Sequence, residues 1–105
     1  MGGFTTWQLA CAHPEWFAAA VPVCGGGQEW YAYRLHDMPV WAFHGLLDEI
    51  VPVEESVKMV RAAQRGGANV QLTIYPNVCH EAWENAYADD SMWNWLLTQR
   101  KGTNE

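Results

Sequence analysis

The sequence predicts a single α/β domain in which about three parallel strands carry helices on their faces. Three observations lead there. Helical and strand-like segments alternate along the chain, the pattern of crossover connections and parallel sheet. Two of the strand candidates are unbroken apolar runs, the habit of strands covered on both faces. Half of the 105 residues are apolar, the composition of one soluble globular domain.

The elements follow in order. Phe4, Trp7, Ala10 and Cys11 recur at helical spacing, and Pro14 cannot continue a helix, so a helix is expected over 3–12. The apolar run from Phe17 to Cys24 reads as a buried strand ended by Gly25-Gly26-Gly27, although Pro22 removes one ladder donor. Gln28 to His36 is short and aromatic, room for one or two helical turns. Pro39 to His44 is a second apolar strand, stopped by Gly45. Val53 to Arg65 has helical spacing, with Glu54 and Glu55 in the first turn where they complement the helix dipole, and Gly66-Gly67 ends it. Val70 to Tyr75 alternates like a half-buried strand and halts at Pro76-Asn77. Ala82 to Arg100 is expected as one last helix, its apolar face formed by Trp83, Ala86, Tyr87, Met92, Trp95 and Leu96.

Composition excludes several function classes. Twelve acidic residues against six basic ones give a net charge of −6, and the basic residues are scattered, which argues against a nucleic-acid partner. No apolar run is long enough to span a membrane. Three cysteines without paired spacing form neither a disulfide framework nor a zinc knuckle. Seven tryptophans imply a dense aromatic core or a surface that another segment covers.

In parallel α/β sheets, functional groups collect at the carboxyl ends of strands. Three segments end there: Gly25-Gly26-Gly27, His44-Gly45-Leu46-Leu47-Asp48 and Pro76-Asn77-Val78-Cys79-His80. An acid after one strand and a histidine after the next can hydrogen-bond, which is the base and orienter of a nucleophilic triad. An aspartate that caps its own turn and an ordinary loop histidine would produce the same spacing.

Met1-Gly2-Gly3-Phe4, Thr6 to Ala10 and His13 to Ala19 resemble the helix that follows the nucleophile elbow in α/β-hydrolase esterases. The version is that of the phospholipase/carboxylesterase, dienelactone-hydrolase and prolyl-oligopeptidase-like group, whose elbow reads G-x-S-M-G-G. Ala20 to Gly27 resembles that group's next strand. Pro39 to Asp48 with Val51-Pro52 is similar to its H-G-x-x-D-x-x-V-P signature, and Tyr75 to His80 to the segment bearing its histidine. Thr5 and Cys79 depart from the pattern, standing where glycine is usual. The resemblance implies the C-terminal half of an α/β-hydrolase fold, with Asp48 as triad acid and His80 as base. It also implies a serine and its strand upstream of Met1, and an oxyanion-hole donor at the Met1 backbone N–H.

Other candidates weigh less. Ser56 and Ser91 suit capping or exposed positions on helices, and Cys79 neighbours His80 in sequence, so its side chain points away from the base. Cys11 and Cys24 read as small buried apolar residues. His44 and Asp48 stand at H-x-x-x-D spacing, but no third ligand is placed, and His44 reads as a support for the loop. Trp30 and Tyr31, near a strand end, and Trp83, after His80, are candidate substrate-binding aromatics; core packing would equally account for the first two.

The expectation is therefore a serine carboxylester hydrolase segment acting on small-molecule esters, needing no metal or organic cofactor. A prolyl-oligopeptidase-like peptidase and a non-catalytic α/β binding module are the rivals. Without the elbow strand, the strand from Phe17 to Val23 is an open edge, with Pro22 deleting one of its donors, and self-association through it is expected.

Overall fold

The computed structural model describes residues 2–14 and 17–99, the side chains of Trp30 and Tyr31 excepted. The first helix, α1, spans Gly2–Ala12. It buries Trp7, Ala10 and Cys11, three residues of the expected stripe; Phe4, the fourth, is exposed. Its first turn crosses the segment around Val23 and Gly25 so closely that a Cβ on Gly3 would strike the Val23 carbonyl, and one on Gly25 would strike Gly3. Glycine is required on both sides of this crossing because backbone meets backbone there.

Strand β1 (Pro39–Gly45) and strand β2 (Asn69–Tyr75) pair in parallel, Pro39 opposite Asn69 through Gly45 opposite Tyr75. Helix α2 (Val53–Arg65) connects them, with Glu54 and Glu55 in its first turn and Arg65 in its last. Both ends thus complement the macrodipole. A 3-10 helix, Glu29–Leu35, precedes β1.

The expected strand at Phe17–Cys24 forms only in part. Ala20 and Val23 make isolated parallel bridges to Val40 and Phe43. Ala20 N–H donates to Pro39 O, Trp41 N–H to Ala20 O, Phe43 N–H to Pro22 O and Cys24 N–H to Phe43 O. The bond missing from this series is the one residue 22 would donate to Trp41, which a proline cannot make. The ladder is therefore broken at its centre, and the sheet has two full strands and a bridged third segment. Pro22 faces β1, which corrects the expectation that it weakens the open edge: that edge keeps the N–H groups of Val21 and Val23.

The expected last helix is two, α3 (Ala82–Tyr87) and α4 (Asp90–Leu97). Asp89 causes the break: its backbone is extended, and its carboxylate accepts from Ser91 N–H at 2.8 Å, a better partner for the N-cap than the middle of a helix. The break rotates the two pieces apart, so Ala86 and Met92 are buried whereas Trp83 and Tyr87 are exposed. Among the described residues no helix is long and apolar enough to cross a membrane.

The sheet separates two cores. On one face Trp7, Ala10, Leu35, Val40, Ala42 and Met59 pack together. On the other, Phe43, Ala86 and Met92 gather Val21, Val23, Trp41, Tyr75 and Leu96. Trp41 stacks on Phe43 at 5.1 Å between centroids and meets the edge of Trp95 at 5.6 Å. Among the described tryptophans, Trp7 is buried in the core and Trp83 and Trp93 are exposed.

Candidate active site

The parallel register puts the exits of β1 and β2 side by side, and hydrogen bonds tie the two exit loops together. Leu46 N–H donates to Tyr75 O at 3.0 Å and Leu47 N–H to Val78 O at 3.1 Å. Gly45 lies beneath the second loop, where a Cβ would strike the Val78 and Cys79 carbonyl oxygens. Asp48 and His80 are thereby carried to one rim.

The His80 Nδ1–H donates to Asp48 Oδ2 at 2.8 Å. The other carboxylate oxygen, Oδ1, accepts from Ile50 N–H and Val51 N–H, both at 2.8 Å. Asp48 therefore does both things that its spacing allowed: it caps its own turn and holds the histidine. Its side chain is wholly buried, whereas that of His80 is 32% exposed. With the proton held on Nδ1, Nε2 is the basic nitrogen of the ring.

Burial pushes the Asp48 carboxyl up, but donation from Val51 N–H, His80 and Ile50 N–H outweighs it and leaves the group below the ordinary aspartate range. A depressed folded-state pKa stabilises the fold above the unfolded value, about 3.9, and that contribution is lost as pH falls through the folded value. Urea midpoints measured through this acid window are expected to fall for the wild-type chain, and Asp48→Asn is expected to lack that component of the slope.

His44 braces the acid loop from below. Its Nε2–H donates to Val51 O at 2.7 Å, so Nδ1 accepts from the Ser56 hydroxyl at 2.7 Å; Ser56 Oγ also lies 3.1 Å from Gly25 O. Nε2 also lies 3.4 Å from Asp48 Oδ2. Ser56 is 1% exposed, which corrects the expectation of a capping or exposed role: it links α2, β1 and the glycine segment. Ser56→Ala leaves a buried imidazole nitrogen without a partner and is expected to cost about 1–3 kcal/mol in chemical denaturation.

A cavity of about 370 Å³ adjoins His80, walled by Gly3, Thr6, Val23, Cys24, Trp83 and Tyr87 among others. A larger cleft, about 440 Å³ between α1 and the Gly26–Gln28 segment, contains neither Asp48 nor His80. Trp83 and His80 thus wall the same cavity. Met1 lies outside the described residues, as do the side chains of Trp30 and Tyr31, whose backbone belongs to the 3-10 helix. Cys79 is exposed, and Cys24 is buried with its Sγ donating to His80 O at 3.3 Å. In sequence Cys24 reads as simple packing; its position at a strand end, directly before Gly25, is the signal that points to the site.

Parallel strands with flanking helices, and an acid and a histidine on adjoining carboxyl ends, make a partial α/β-hydrolase fold. The family model for the prolyl oligopeptidase family matches residues 28–103. The chain belongs to that family. Among solved structures, it is similar to a thermostable esterase at 36% identity and a TM-score of 0.88, covering 93% of this chain and 28% of the esterase. A Klebsiella pneumoniae protein assigned as a dienelactone hydrolase is 23% identical with a TM-score of 0.65, a likeness of fold, covering 92% of this chain and 47% of that one. The chain thus spans less than half the length of either. No curated protein sequence matches it significantly.

Proposed function

We propose that the chain supplies the general base and its orienting acid to a serine carboxylester hydrolase, with the nucleophile carried on a strand and elbow ahead of α1 in the full protein. The observation that carries this reading is the 2.8 Å bond from His80 Nδ1 to the buried Asp48 carboxylate, beside a cavity. The serine hydroxyl attacks the ester carbonyl as His80 Nε2 takes its proton, and the same nitrogen returns it to the departing alcohol. Water then releases the acyl group by the same exchange, while Asp48 stabilises the imidazolium. Trp83, which walls the cavity beside His80, lines the substrate site. None of these steps calls for a metal or an organic cofactor.

The same reading gives the open edge an occupant. Val21 and Val23 turn their backbone groups away from β1, toward the cavity next to α1; the serine-bearing strand would pair there. Alone, the 105-residue chain is expected to self-associate through this edge, with its sedimentation mass rising with concentration. A monomer at every concentration would remove the edge from the proposal.

The family match favours a second reading, a serine peptidase with the same acid and base. A panel of activated esters and peptide amides, offered to the polypeptide that includes the upstream segment, separates the two. Faster ester turnover is expected; amide preference would select the peptidase, and no turnover of either class would leave a non-catalytic binding module.

A further inference from the structure

We propose that Cys24, Asp48 and His80 form a binding site for a soft divalent cation of the zinc type, and that its occupation silences the acid–base pair. The Cys24 thiol sulfur, one Asp48 carboxylate oxygen and one His80 ring nitrogen all lie within 4.8 Å of one another. Tetrahedral zinc with sulfur, nitrogen and oxygen ligands sets such atoms roughly 3.3–3.6 Å apart, so modest side-chain movement closes the site. Thiolate, imidazole and carboxylate together are a donor set that selects zinc-like ions over magnesium or calcium.

Three features point to a built site. Cys24 holds a positive φ of 55°, a conformation that non-glycine residues adopt rarely, and strain of this kind gathers at functional positions. Asp48 is already oriented by the Ile50 and Val51 N–H groups on its other oxygen, the outer-shell support that metal-binding carboxylates receive. Both Cys24 and His80 line the cavity, which in the 105-residue chain offers an entry path and room for water as the fourth ligand.

On binding, the ion takes the Cys24 sulfur, an Asp48 oxygen and His80 Nδ1; the thiol proton leaves to solvent, and the Nδ1 proton is exchanged through solvent onto Nε2, which keeps the ring neutral. No electrons are transferred. The carboxylate and the imidazole lone pair are then committed, so His80 can neither accept a serine proton nor be held by Asp48 as before. Inhibition rests on the hydrolase reading above, whereas binding itself does not.

The test is titration of the 105-residue chain with Cd²⁺ under a non-thiol reductant, following the sulfur-to-cadmium charge-transfer absorption. One equivalent of cation should produce the band. Cys24→Gly, which suits the positive φ, should abolish it with an unchanged circular dichroism spectrum; Cys11→Ala and Cys79→Ser should retain it. Asp48→Asn and His80→Gln should each weaken binding by at least about tenfold. A band that persists in Cys24→Gly, or an affinity that neither Asp48→Asn nor His80→Gln changes, would overturn the site. Because the readout is absorption, its failure is distinct from failure of the esterase reading, which is judged by turnover.

Discussion

Replacing His80 with alanine in the serine-bearing polypeptide is expected to lower turnover of an activated ester by at least about 10⁴-fold, with little change in KM. The loss is large because the hydroxyl of serine is a poor nucleophile until a base removes its proton. Asp48→Asn should cost about as much for a different reason. An amide at position 48 offers a donor as well as an acceptor to His80 Nδ1, so the ring can settle in the tautomer whose Nε2 is already protonated. The two losses should not add, since the residues act as one unit. Single-turnover kinetics with an ester that releases a chromophore measures the parent, the two single variants and the double variant, and near-normal turnover of either single variant would require a different catalytic assignment. Ser56→Ala in the same assay should move stability while leaving the chemical step, because Ser56 touches His44 and Gly25 and not the Asp48–His80 pair.

Gly45→Ala is expected to be the most damaging substitution outside the pair itself. The added methyl group would meet the carbonyl oxygens of Val78 and Cys79, which are backbone and cannot swing away as a side chain could. The loop carrying His80 must then lift from the loop carrying Asp48. Overpacking of this sort costs about 1–3 kcal/mol, and displacing a catalytic base by about an ångström costs about 10²-fold in turnover. Urea denaturation and ester kinetics on one preparation read both effects. Gly27→Ala is the control: its methyl would meet only side-chain atoms of Met59 and Trp7, at 3.3–3.5 Å, and should be far milder. Equal effects from the two would show that close approach at Gly45 does not position the site.

Much of this architecture was legible locally. Helix α2 and strands β1 and β2 appear within a residue or two of where periodicity, charged ends and Gly or Pro stops place them, because their signals are short-range and agree with one another. The misreadings have physical causes as local as the successes. Pro22 sits in an apolar run that reads as a strand, and the one bond it cannot donate splits the ladder to β1 into bridges. Asp89 stands inside a helical pattern, and its carboxylate finds Ser91 N–H and starts a new helix.

The sequence by itself determined that the chain has an α/β fold and that an acid and a histidine follow successive strands. Those properties follow from residue type and order. Only the tertiary structure decided which groups meet. The parallel register carries Asp48 and His80, 32 residues apart, to a 2.8 Å contact. The same packing draws Cys24 from a third segment to their side and buries Ser56, which helical spacing leaves indistinguishable from a surface serine. Spacing along a strand or helix constrains which face a side chain takes. Which other segment covers that face depends on packing across the whole sheet, and no local pattern encodes it.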